Sequence, residues 1–292
     1  MISIIITAYK EPRTIGRAIK SILENNLKEE HEILVVAPDE ETLNIGREYA
    51  QNDKSIRIVK DNGLGKPAAL NVAILNARGE ILVLTDGDVY IDKNALHYLL
   101  DPLKDKKVGA VSGNPISLNS KSNMLGYWSY MLTNIANERR LRALNLKKRF
   151  FCSGYLFAIR KNIFPSLPEN LLSEDGFVSH KVYQSVYRID YSPEAKVFVK
   201  YPTNFNDWIK QKKRSAGGYN QIKNLIGIEI RSFKKESLGF SDFFKYMRNL
   251  KEIFWLFNLF LARIYLWLVI YKDIDLKKKP QQEIWQRVES TK

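Results

Sequence analysis

Few folds accommodate a run such as ILVLTDGDVYI, which this chain carries from Ile81 to Ile91. Its continuous apolar and β-branched character predicts a strand buried on both faces, as in the parallel sheet of an α/β domain. The strand ends at Asp86 and Asp88, with the small residue Gly87 between them. Since ligands of open α/β sheets bind beyond the carboxyl ends of the strands, the two aspartates are expected at a binding site.

Two carboxylates this close repel each other, so a cation is expected beside them. Oxygen ligands of this kind favour Mg²⁺ or Mn²⁺, ions that complete their coordination with water and substrate phosphates. Asp86 and Asp88 are therefore candidate metal ligands. The motif Asp-x-Asp is short, however, and an aspartate-rich turn after a strand gives the same pattern without any metal, so both interpretations stay open on these residues alone.

Alternating strands and helices surround this stretch. The sequence predicts strands over residues 2–9, 32–37 and 55–61, each followed by a helix, the last of which covers 67–76. This β-α-β-α-β-α-β order is typical of a doubly wound, mostly parallel sheet flanked by helices. Right-handed crossovers bring the strand-end loops to one edge, so one crevice is expected to collect Thr7 to Glu11, Asp39, Lys66 and Asp86 to Asp88.

Charged residues at predicted helix starts add further candidates. Lys66 precedes the helix before the central strand, where its charge and the helix N-terminus suit a phosphate. Ser173 caps another predicted helix whose first turn holds Glu174 and Asp175, although a purely structural cap looks the same. The other elements predicted beyond the central strand are a helix over 94–103, a strand over 108–115, a helix over 122–149, a strand over 150–160 and two short strands within 187–202.

Composition limits the class of protein and its partners. The 292 residues are 45% hydrophobic and carry a formal charge of +14, which indicates a folded chain with an anionic partner. One cysteine, Cys152, excludes an internal disulfide framework and a cysteine-based zinc site. The histidines His31, His97 and His180 are not spaced as metal ligands, and His180 is expected on the surface of its helix.

The basic excess is concentrated beside a long apolar segment. Residues 207–251 hold eleven basic and four acidic side chains, and residues 253–271 then read IFWLFNLFLARIYLWLVIY. This segment could just cross a bilayer, but Asn258 and Arg263 interrupt it. Its aromatic residues and basic flanks predict a helix lying in or dipping into an anionic membrane surface, with a buried core helix or a subunit contact as the alternative. The charged residues after it are expected to be loosely ordered.

Taken in order, the motifs carry a resemblance to a known family. The sequence resembles the inverting nucleotide-sugar glycosyltransferases of family two, which have the GT-A fold. The matching features are the ITAYKEP turn, the GKPAALN element, TDGD after the buried strand, SED and QKKR. The resemblance implies a GT-A catalytic domain over residues 1–220, followed by a basic helical extension over 221–292 that contains the apolar helix 253–271.

The resemblance also implies which residues bind the donor. In that family the acidic turn corresponds to Asp86 and Asp88, with Asp88 as the direct metal ligand for Mg²⁺ or Mn²⁺. Lys66 lies where it can contact the phosphates. The base and ribose are held by the first strand and turn and by the acidic end of the second strand, which here means Thr7, Tyr9, Glu11 and Asp39.

Two further motifs of the family imply the catalytic groups. Its Glu-Asp motif corresponds to Glu174 and Asp175, with the aspartate as general base. Members that extend polymers or use lipid acceptors often carry Gln-x-x-Arg-Trp. Gln211 and Arg214 match that motif, whereas Ser215 replaces the tryptophan, which argues against processive polymer synthesis.

Together these residues imply an inverting transfer. Metal on Asp88, with Arg214 nearby, neutralises the nucleoside diphosphate as it leaves, and Asp175 accepts the proton of the attacking acceptor hydroxyl. A single in-line displacement inverts the anomeric carbon and needs no enzyme nucleophile. The donor is expected to be a UDP- or GDP-sugar. The acceptor is expected to be a hydroxyl or phosphate of a lipid-linked or glycan molecule, at the cytoplasmic face of the cell membrane.

Three other functions compete with this interpretation. A sugar-phosphate nucleotidyltransferase usually has a glycine-rich basic loop after its first strand, where this chain has TAYKEP. A catalytically inactive, glycosyltransferase-like scaffold that binds nucleotides or other anions would carry the same motifs. A nucleic-acid binder needs basic residues along a face with base-stacking aromatics. Because the basic excess lies beside the apolar segment, no nucleic-acid partner is expected.

Overall fold

The computed structural model describes residues 1–226, 240–277 and 286–291 of the chain. Within these ranges, eight strands form one sheet. They are β1 (Ile2–Thr7), β2 (His31–Ala37), β3 (Ile56–Lys60), β4 (Ile81–Asp86), β5 (Tyr90–Ile91), β6 (Val108–Ser117), β7 (Leu156–Arg160) and β8 (Arg188–Val199). The strands lie in the order β3-β2-β1-β4-β7-β6-β8-β5. The first four of these run parallel, whereas β7 and β5 run antiparallel to their neighbours.

Helices follow most of these strands, and the sequence explains where two of them begin. The buried positions Ile15, Ile19 and Ile22 recur at helical spacing in the first helix. Asp39 caps the second helix by accepting a hydrogen bond from the backbone N of Thr42 at 3.0 Å. The helices are α1 (Ile15–Leu23), α2 (Glu40–Asn52), α3 (Lys66–Asn76), α4 (Ala95–Leu100), α5 (Met124–Asn145), α6 (Glu174–Gln184), α7 (Phe205–Ile226) and α8 (Leu250–Ile270).

Strand β1 shows why the sheet is covered on both faces. Ile4 and Ile6 belong to one hydrophobic cluster together with Ile15 of α1, whereas Ile5 belongs to a second cluster with Leu70 of α3. Alternate side chains of a strand point to opposite faces, so each face of the sheet packs on its own helices. The predicted doubly wound, mostly parallel sheet flanked by helices is confirmed.

The strand order places a crevice beside β1 and β4. The chain winds outward from β1 through β2 to β3 and then returns to add β4 on the other side of β1. At such a reversal the connections leave in opposite directions and open a crevice at the carboxyl ends of the strands. Thr7 and Asp86 end these two strands and pair directly with each other.

Two of the strand predictions, which concern three predicted strands, were wrong in detail. Residues 150–160 were expected to form one strand, but β7 begins only at Leu156, because serine hydroxyls take the backbone N–H groups before it. The N–H of Cys152 donates to Ser179 Oγ at 2.9 Å, and that of Ser153 donates to Ser112 Oγ at 3.0 Å. The two strands expected within 187–202 are the single strand β8, and its pairing with β6 absorbs the irregularity as a register shift.

His180 was predicted on the surface of its helix and is instead buried. Residues 176–180 of α6 are buried in succession, so this helix has no solvent-facing stripe along its first half. Burial lowers the pKa of His180, which favours the neutral ring.

The apolar C-terminal helix is present as α8. Leu256 and Leu259 of α8 cluster with Trp128 of α5 and Trp208 of α7, and Trp128 Nε1 donates to the carbonyl oxygen of Trp255 at 2.8 Å. The predicted boundary at 220/221 falls inside α7 and stays a prediction. Part of the predicted basic extension lies outside the described residues, namely 227–239, 278–285 and Lys292.

Residues 286–291 pack against the body of the protein, so the expectation that the end of the chain is loosely ordered was wrong for this segment. Val288 and Thr291 are buried. The backbone N of Ser290 donates to Asp207 Oδ2 at 3.0 Å, and Arg287 Nη2 donates to the carbonyl oxygen of Lys10 at 2.7 Å. This segment therefore closes over the turn that follows β1.

Candidate active site

A crevice of about 1020 Å³ lies beyond the carboxyl ends of β1 and β4. Strand pairing fixes its acidic edge, since the N–H of Gly87 donates to the carbonyl oxygen of Thr7 at 2.9 Å. A Cβ atom at Gly87 would lie 2.6 Å from Glu11 Oε2 and 2.7 Å from Ala8 Cβ. Only glycine therefore lets the turn between Asp86 and Asp88 approach the β1–α1 loop this closely.

Lys66 is the cation at the centre of the crevice. Its Nζ lies 2.6 Å from Asp86 Oδ1 and 2.8 Å from Glu174 Oε1, and it donates to the carbonyl oxygen of Gly154 at 3.3 Å. Burial alone would lower the pKa of Lys66, but the two carboxylates raise it well above its ordinary value. The lysine thus joins the acidic end of β4 to the first turn of α6.

Glu174 and Asp175 are adjacent in sequence but differ in their surroundings. Burial on its own would raise the pKa of Glu174, but the Lys66 ammonium holds it below its ordinary value. Burial, followed by the charge of Glu174, raises the pKa of Asp175. The pKa values of these two neighbouring carboxyl groups are therefore shifted in opposite directions, and Asp175 is the better proton acceptor.

Hydrogen bonds from three directions orient the Asp175 carboxylate. Its Oδ1 accepts from Ser173 Oγ at 2.6 Å and from the backbone N of Gly176 at 2.8 Å. Its Oδ2 accepts from the backbone N of Gly154 at 3.2 Å. The carboxylate is thus held on the crevice wall, which it helps to line.

The turn after β1 carries Tyr9 and Glu11 into the crevice lining, as predicted. Asp39 lies outside that lining, and its carboxylate holds the turn in place by accepting from the backbone N of Lys10 at 2.7 Å while it caps α2. Its assignment to the nucleotide base stays a prediction. In this structure Asp39 stabilises the turn that carries Tyr9 and Glu11.

Helix α7 brings Gln211 and Arg214 to the same crevice. The helix can approach because residue 218 is glycine, where a Cβ atom would lie 2.5 Å from Ser173 Cβ. Gln211 Nε2 donates to the hydroxyl of Tyr155 at 3.4 Å. The charge of Arg214 acts on Glu174, and it partly offsets the burial that raises the pKa of Tyr155.

Sequence reasoning missed several residues of the crevice, among them Asp61 and Tyr155. Asp61 follows β3, its Oδ1 accepts from the backbone N of Gly63 at 2.6 Å, and its buried Oδ2 has no hydrogen-bond partner among the described residues. The strand-end rule that found Asp86 would have found it. Tyr155 precedes β7, and no sequence signal marks it, because its place depends on the turn that ends before Leu156.

The acidic edge fits a divalent metal that shares its coordination with a ligand. Among the described residues, no group of three or more His, Cys, Asp or Glu side chains is arranged to hold a metal alone. Mg²⁺ and Mn²⁺ sites often use only one or two carboxylates and complete their shell with water and phosphates. Lys66 engages Asp86 Oδ1, and Asp88 lines the crevice beside it. Both aspartates border this edge, and the assignment of Asp88 as the direct metal ligand stays a prediction.

Comparison with known proteins gives consistent matches. The model of the family described as glycosyl transferase family 2 matches residues 3–167. A poly-β-1,6-N-acetyl-D-glucosamine synthase from Staphylococcus aureus (strain COL) is 26% identical over 234 residues, which cover 76% of this chain and 55% of that protein. The one from Staphylococcus epidermidis is 27% identical over 233 residues, with the same coverage. The chain spans about half the length of these relatives.

Solved structures share the fold. The mannosyltransferase PcManGT from Pyrobaculum calidifontis, in complex with GDP-Man and Mn²⁺, aligns with a TM-score of 0.61 at 18% identity, over 97% of this chain and 82% of that one. Mannosyl-3-phosphoglycerate synthase from Rubrobacter xylanophilus gives 0.51 at 15% identity, over 80% and 77%. TarS from S. aureus gives 0.52 at 18% identity, over 76% and 43%. The predicted GT-A fold is confirmed.

Proposed function

Because this chain belongs to glycosyl transferase family 2, we propose that it moves a sugar from a nucleoside diphosphate donor to an acceptor, with inversion at the anomeric carbon. The observation that carries the proposal is the single crevice in which Asp88, Lys66 and Asp175 converge. A UDP- or GDP-sugar is the donor class, and its base and ribose would contact Thr7, Tyr9 and Glu11.

The acidic edge would hold the donor's diphosphate. Asp88, with Asp86 beside it, would bind Mg²⁺ or Mn²⁺, which when present neutralises charge on the diphosphate. Arg214 has no carboxylate partner among the described residues, so its guanidinium is available to a phosphate oxygen. Lys66 holds Asp86 and Glu174 in place through its two short ion pairs. Burial, followed by the nearby Asp88 charge, raises the pKa of Asp86, and the Lys66 ammonium partly offsets that rise.

Asp175 would act as the general base. The acceptor oxygen attacks the anomeric carbon, the bond from that carbon to the diphosphate breaks, and the nucleoside diphosphate leaves with the bonding electrons. The acceptor's proton passes to Asp175, whose raised pKa suits that role. Asp175→Asn should lower kcat by about 10²–10⁴-fold and leave the nucleotide Kd unchanged. An Asn variant with normal turnover would contradict this role.

The donor site is tested by calorimetric titration of UDP and GDP, with and without Mn²⁺. We expect one nucleotide to bind, and both removal of the metal and Asp88→Ala to weaken it. Asp101→Ala is the matched control, because Asp101 is exposed and pairs only with Lys104 among the described residues. If neither nucleotide binds the wild-type protein, the donor site is wrong, and the result would favour an inactive scaffold or a charge-driven nucleic-acid role.

We also propose that α8 attaches the protein to an anionic membrane surface, where the acceptor is lipid-linked or glycan. By length and composition, Leu250–Asp273 is the one helix among the described residues that could cross a bilayer, and 28% of its most apolar window is buried in the protein. Leu256, Leu259 and Ala262 pack inward, so a spanning orientation would strip this face from the protein core. A helix lying in the plane of the surface keeps both contacts.

The outward face of α8 supports this orientation. It exposes large apolar side chains three or four residues apart, with exposed Lys251 and Lys272 at its two ends. Apolar side chains at that depth and cations at the headgroups together bind anionic interfaces. The exposed residues are Leu250, Ile253, Phe254, Phe257, Phe260, Leu261, Tyr265, Leu268 and, just after the helix, Tyr271.

Sedimentation with vesicles tests the attachment. The protein should bind vesicles of mixed phosphatidylglycerol and phosphatidylcholine more than vesicles of phosphatidylcholine alone. Replacing Phe254 and Phe257 with serine should abolish binding, whereas Tyr98→Ser, which removes an exposed aromatic from α4, should not. Equal binding by the double variant would exclude α8 as the attachment. The cytoplasmic face of the cell membrane stays the predicted location of the reaction. This location requires that the crevice open to the cytoplasm.

A further inference from the structure

The crevice lining contains a group of basic side chains away from Lys66 and the acidic edge. Acidic side chains of the lining follow the ends of β1, β3 and β4 or lie at or shortly before the start of α6, whereas this basic group comes from the end of α5, the loop after it, α7 and α8. We call these basic residues the arginine wall. The wall consists of Arg139, Arg140, Arg149, Lys212, Arg214 and Arg263.

Arg140 is a member of the wall whose described contacts leave its charge without an anion. Its side chain is half-buried, its Nε donates to the carbonyl oxygen of Phe151 at 3.4 Å, and its guanidinium lies 5.9 Å from the ring centre of Tyr191. These partners are neutral, and no carboxylate pairs with Arg140 in the described ranges. A guanidinium has five N–H donors, and removing its charge from water is costly unless an anion compensates.

Arg149 continues the wall toward solvent. Its guanidinium lies 5.1 Å from the ring centre of Tyr183, and the side chain is exposed. The tyrosine ring is also a neutral partner. Arg140 and Arg149 therefore present two cations along the crevice that the described carboxylates do not neutralise.

One short segment links the wall to the proposed base. Phe151, whose carbonyl oxygen binds Arg140, is three residues before Gly154, whose N–H binds Asp175. Three residues limit the distance between their Cα atoms to roughly 11 Å. The buried thiol of Cys152 lies between them and is influenced by both the Arg140 and Asp175 charges. An anion bound to Arg140 would therefore lie close enough to Asp175 for one small molecule to contact both residues.

We propose that the acceptor carries a phosphate group, which Arg140 and Arg149 bind so that a nucleophilic oxygen of the same molecule reaches Asp175. This inference rests on the proposed function and adds the chemical class of the acceptor to it. Under the proposed function the donor diphosphate uses other groups, at Asp88 and Arg214, so the crevice would hold two separate phosphate positions. The phosphate can belong to a lipid headgroup or to a soluble or polymeric phosphate ester.

The test uses the full chain saturated with its nucleotide and Mn²⁺, so that the donor position is filled. Calorimetric titrations then compare glycerol 3-phosphate with glycerol, and farnesyl phosphate with farnesol in detergent. We expect a phosphate ester to bind and its alcohol not to bind. Binding of both esters indicates a soluble or polymeric phosphate, and binding of farnesyl phosphate alone indicates a lipid.

Variants assign the binding to the wall. Arg140→Gln should raise the Kd of the phosphate ester on the order of ten-fold or more, since it removes a charge-assisted hydrogen bond, and Arg140→Lys should recover part of the loss. Arg149→Gln tests the second arginine of the proposed phosphate position. Because Arg149 is exposed, this substitution should leave the fold intact. Lys148→Gln is the matched control, because Lys148 is exposed and does not line the crevice.

The outcomes separate this inference from the proposed function. If the wild-type protein binds no nucleotide, the proposed function fails. If nucleotide binds but neither ester binds alongside it, or if the esters only displace the nucleotide, the phosphate subsite is wrong and the donor site stands. Unchanged ester binding in both Arg140→Gln and Arg149→Gln would also overturn the subsite.

Discussion

At the scale of single residues, environment gives similar groups different roles. Asp86, Glu174 and Asp175 are carboxylates within one crevice, yet Lys66 pairs with the first two and hydrogen bonds from Ser173 and two backbone N–H groups hold the third. The lysine keeps two buried acids together that would otherwise repel each other. The roles of these acids therefore depend on one cation as much as on their own positions.

Replacing Lys66 with methionine should destabilise the protein. It leaves Asp86 and Glu174 facing each other without a cation, and breaking a buried pair costs about 3 kcal/mol. Lys60→Met is the control, because Lys60 pairs with Glu40 on the exposed surface and such a pair contributes about 0.5 kcal/mol. Urea unfolding measures both changes. Equal losses of the free energy of unfolding in the two variants would contradict the central role of Lys66.

The pH dependence of the reaction should report on Glu174. A general base works only when deprotonated, so the rate falls as pH drops through the pKa of Asp175, which burial and the Glu174 charge raise. Glu174→Gln removes that charge and should move the acidic limb of kcat/KM to lower pH. A limb that stays in place, or moves to higher pH, would show that another group sets it.

Physical signals in the sequence identify site residues where a strand end or a helix start marks them, and the family motif added Gln211 and Arg214, which lie inside α7. Asp86, Lys66 and Asp175 occupy such positions, and each lies in the crevice as expected. Arg140 and Tyr155 have no such mark. They reach the crevice because α5 and the turn before β7 pack over it, which is a consequence of tertiary structure.

At the scale of elements, α8 shows how one helix serves two surroundings. Its inward face packs on α5 and α7, and its outward face exposes aromatic and aliphatic side chains. Hydropathy predicted the helix but not which face is covered, since the apolar residues surround it on all sides. Strands were predicted well where they are buried on both faces, and less well at β7 and β8, where serine hydroxyls and a register shift alter the pairing.

The two faces of α8 should respond differently to truncation. Leu259→Ala removes a side chain that is 1% exposed and should cost about 2–4 kcal/mol in the free energy of unfolding. Phe257→Ala removes one that is 58% exposed and should cost less than about 0.5 kcal/mol. Thermal unfolding without lipid measures both. A large loss for Phe257→Ala would mean that protein covers the outward face.

At the scale of the whole molecule, basic side chains that contribute to the formal charge of +14 lie in two regions. Some of them line the crevice, and others lie around α8. Charges at a solvent-exposed surface are screened by salt far more than charges inside a crevice.

Raising the salt concentration should therefore weaken membrane binding more than nucleotide binding. Between about 0.1 and 0.5 M salt, where the screening length falls below about 5 Å, binding to phosphatidylglycerol vesicles should weaken several-fold while the nucleotide Kd changes little. Sedimentation and calorimetry under identical conditions measure the pair. Vesicle binding that survives high salt would show that apolar insertion alone holds the protein, with the cations contributing nothing.

One residue of α8 connects these surfaces mechanically. Arg263 lines the crevice, whereas its helical neighbours Phe260 and Leu261 face outward. Because a helix moves as a rigid body, a change in the tilt or depth of α8 also displaces Arg263. Under the proposed membrane attachment, lateral pressure in the bilayer would then move Arg263 relative to the rest of the crevice wall, and lipid composition would influence turnover.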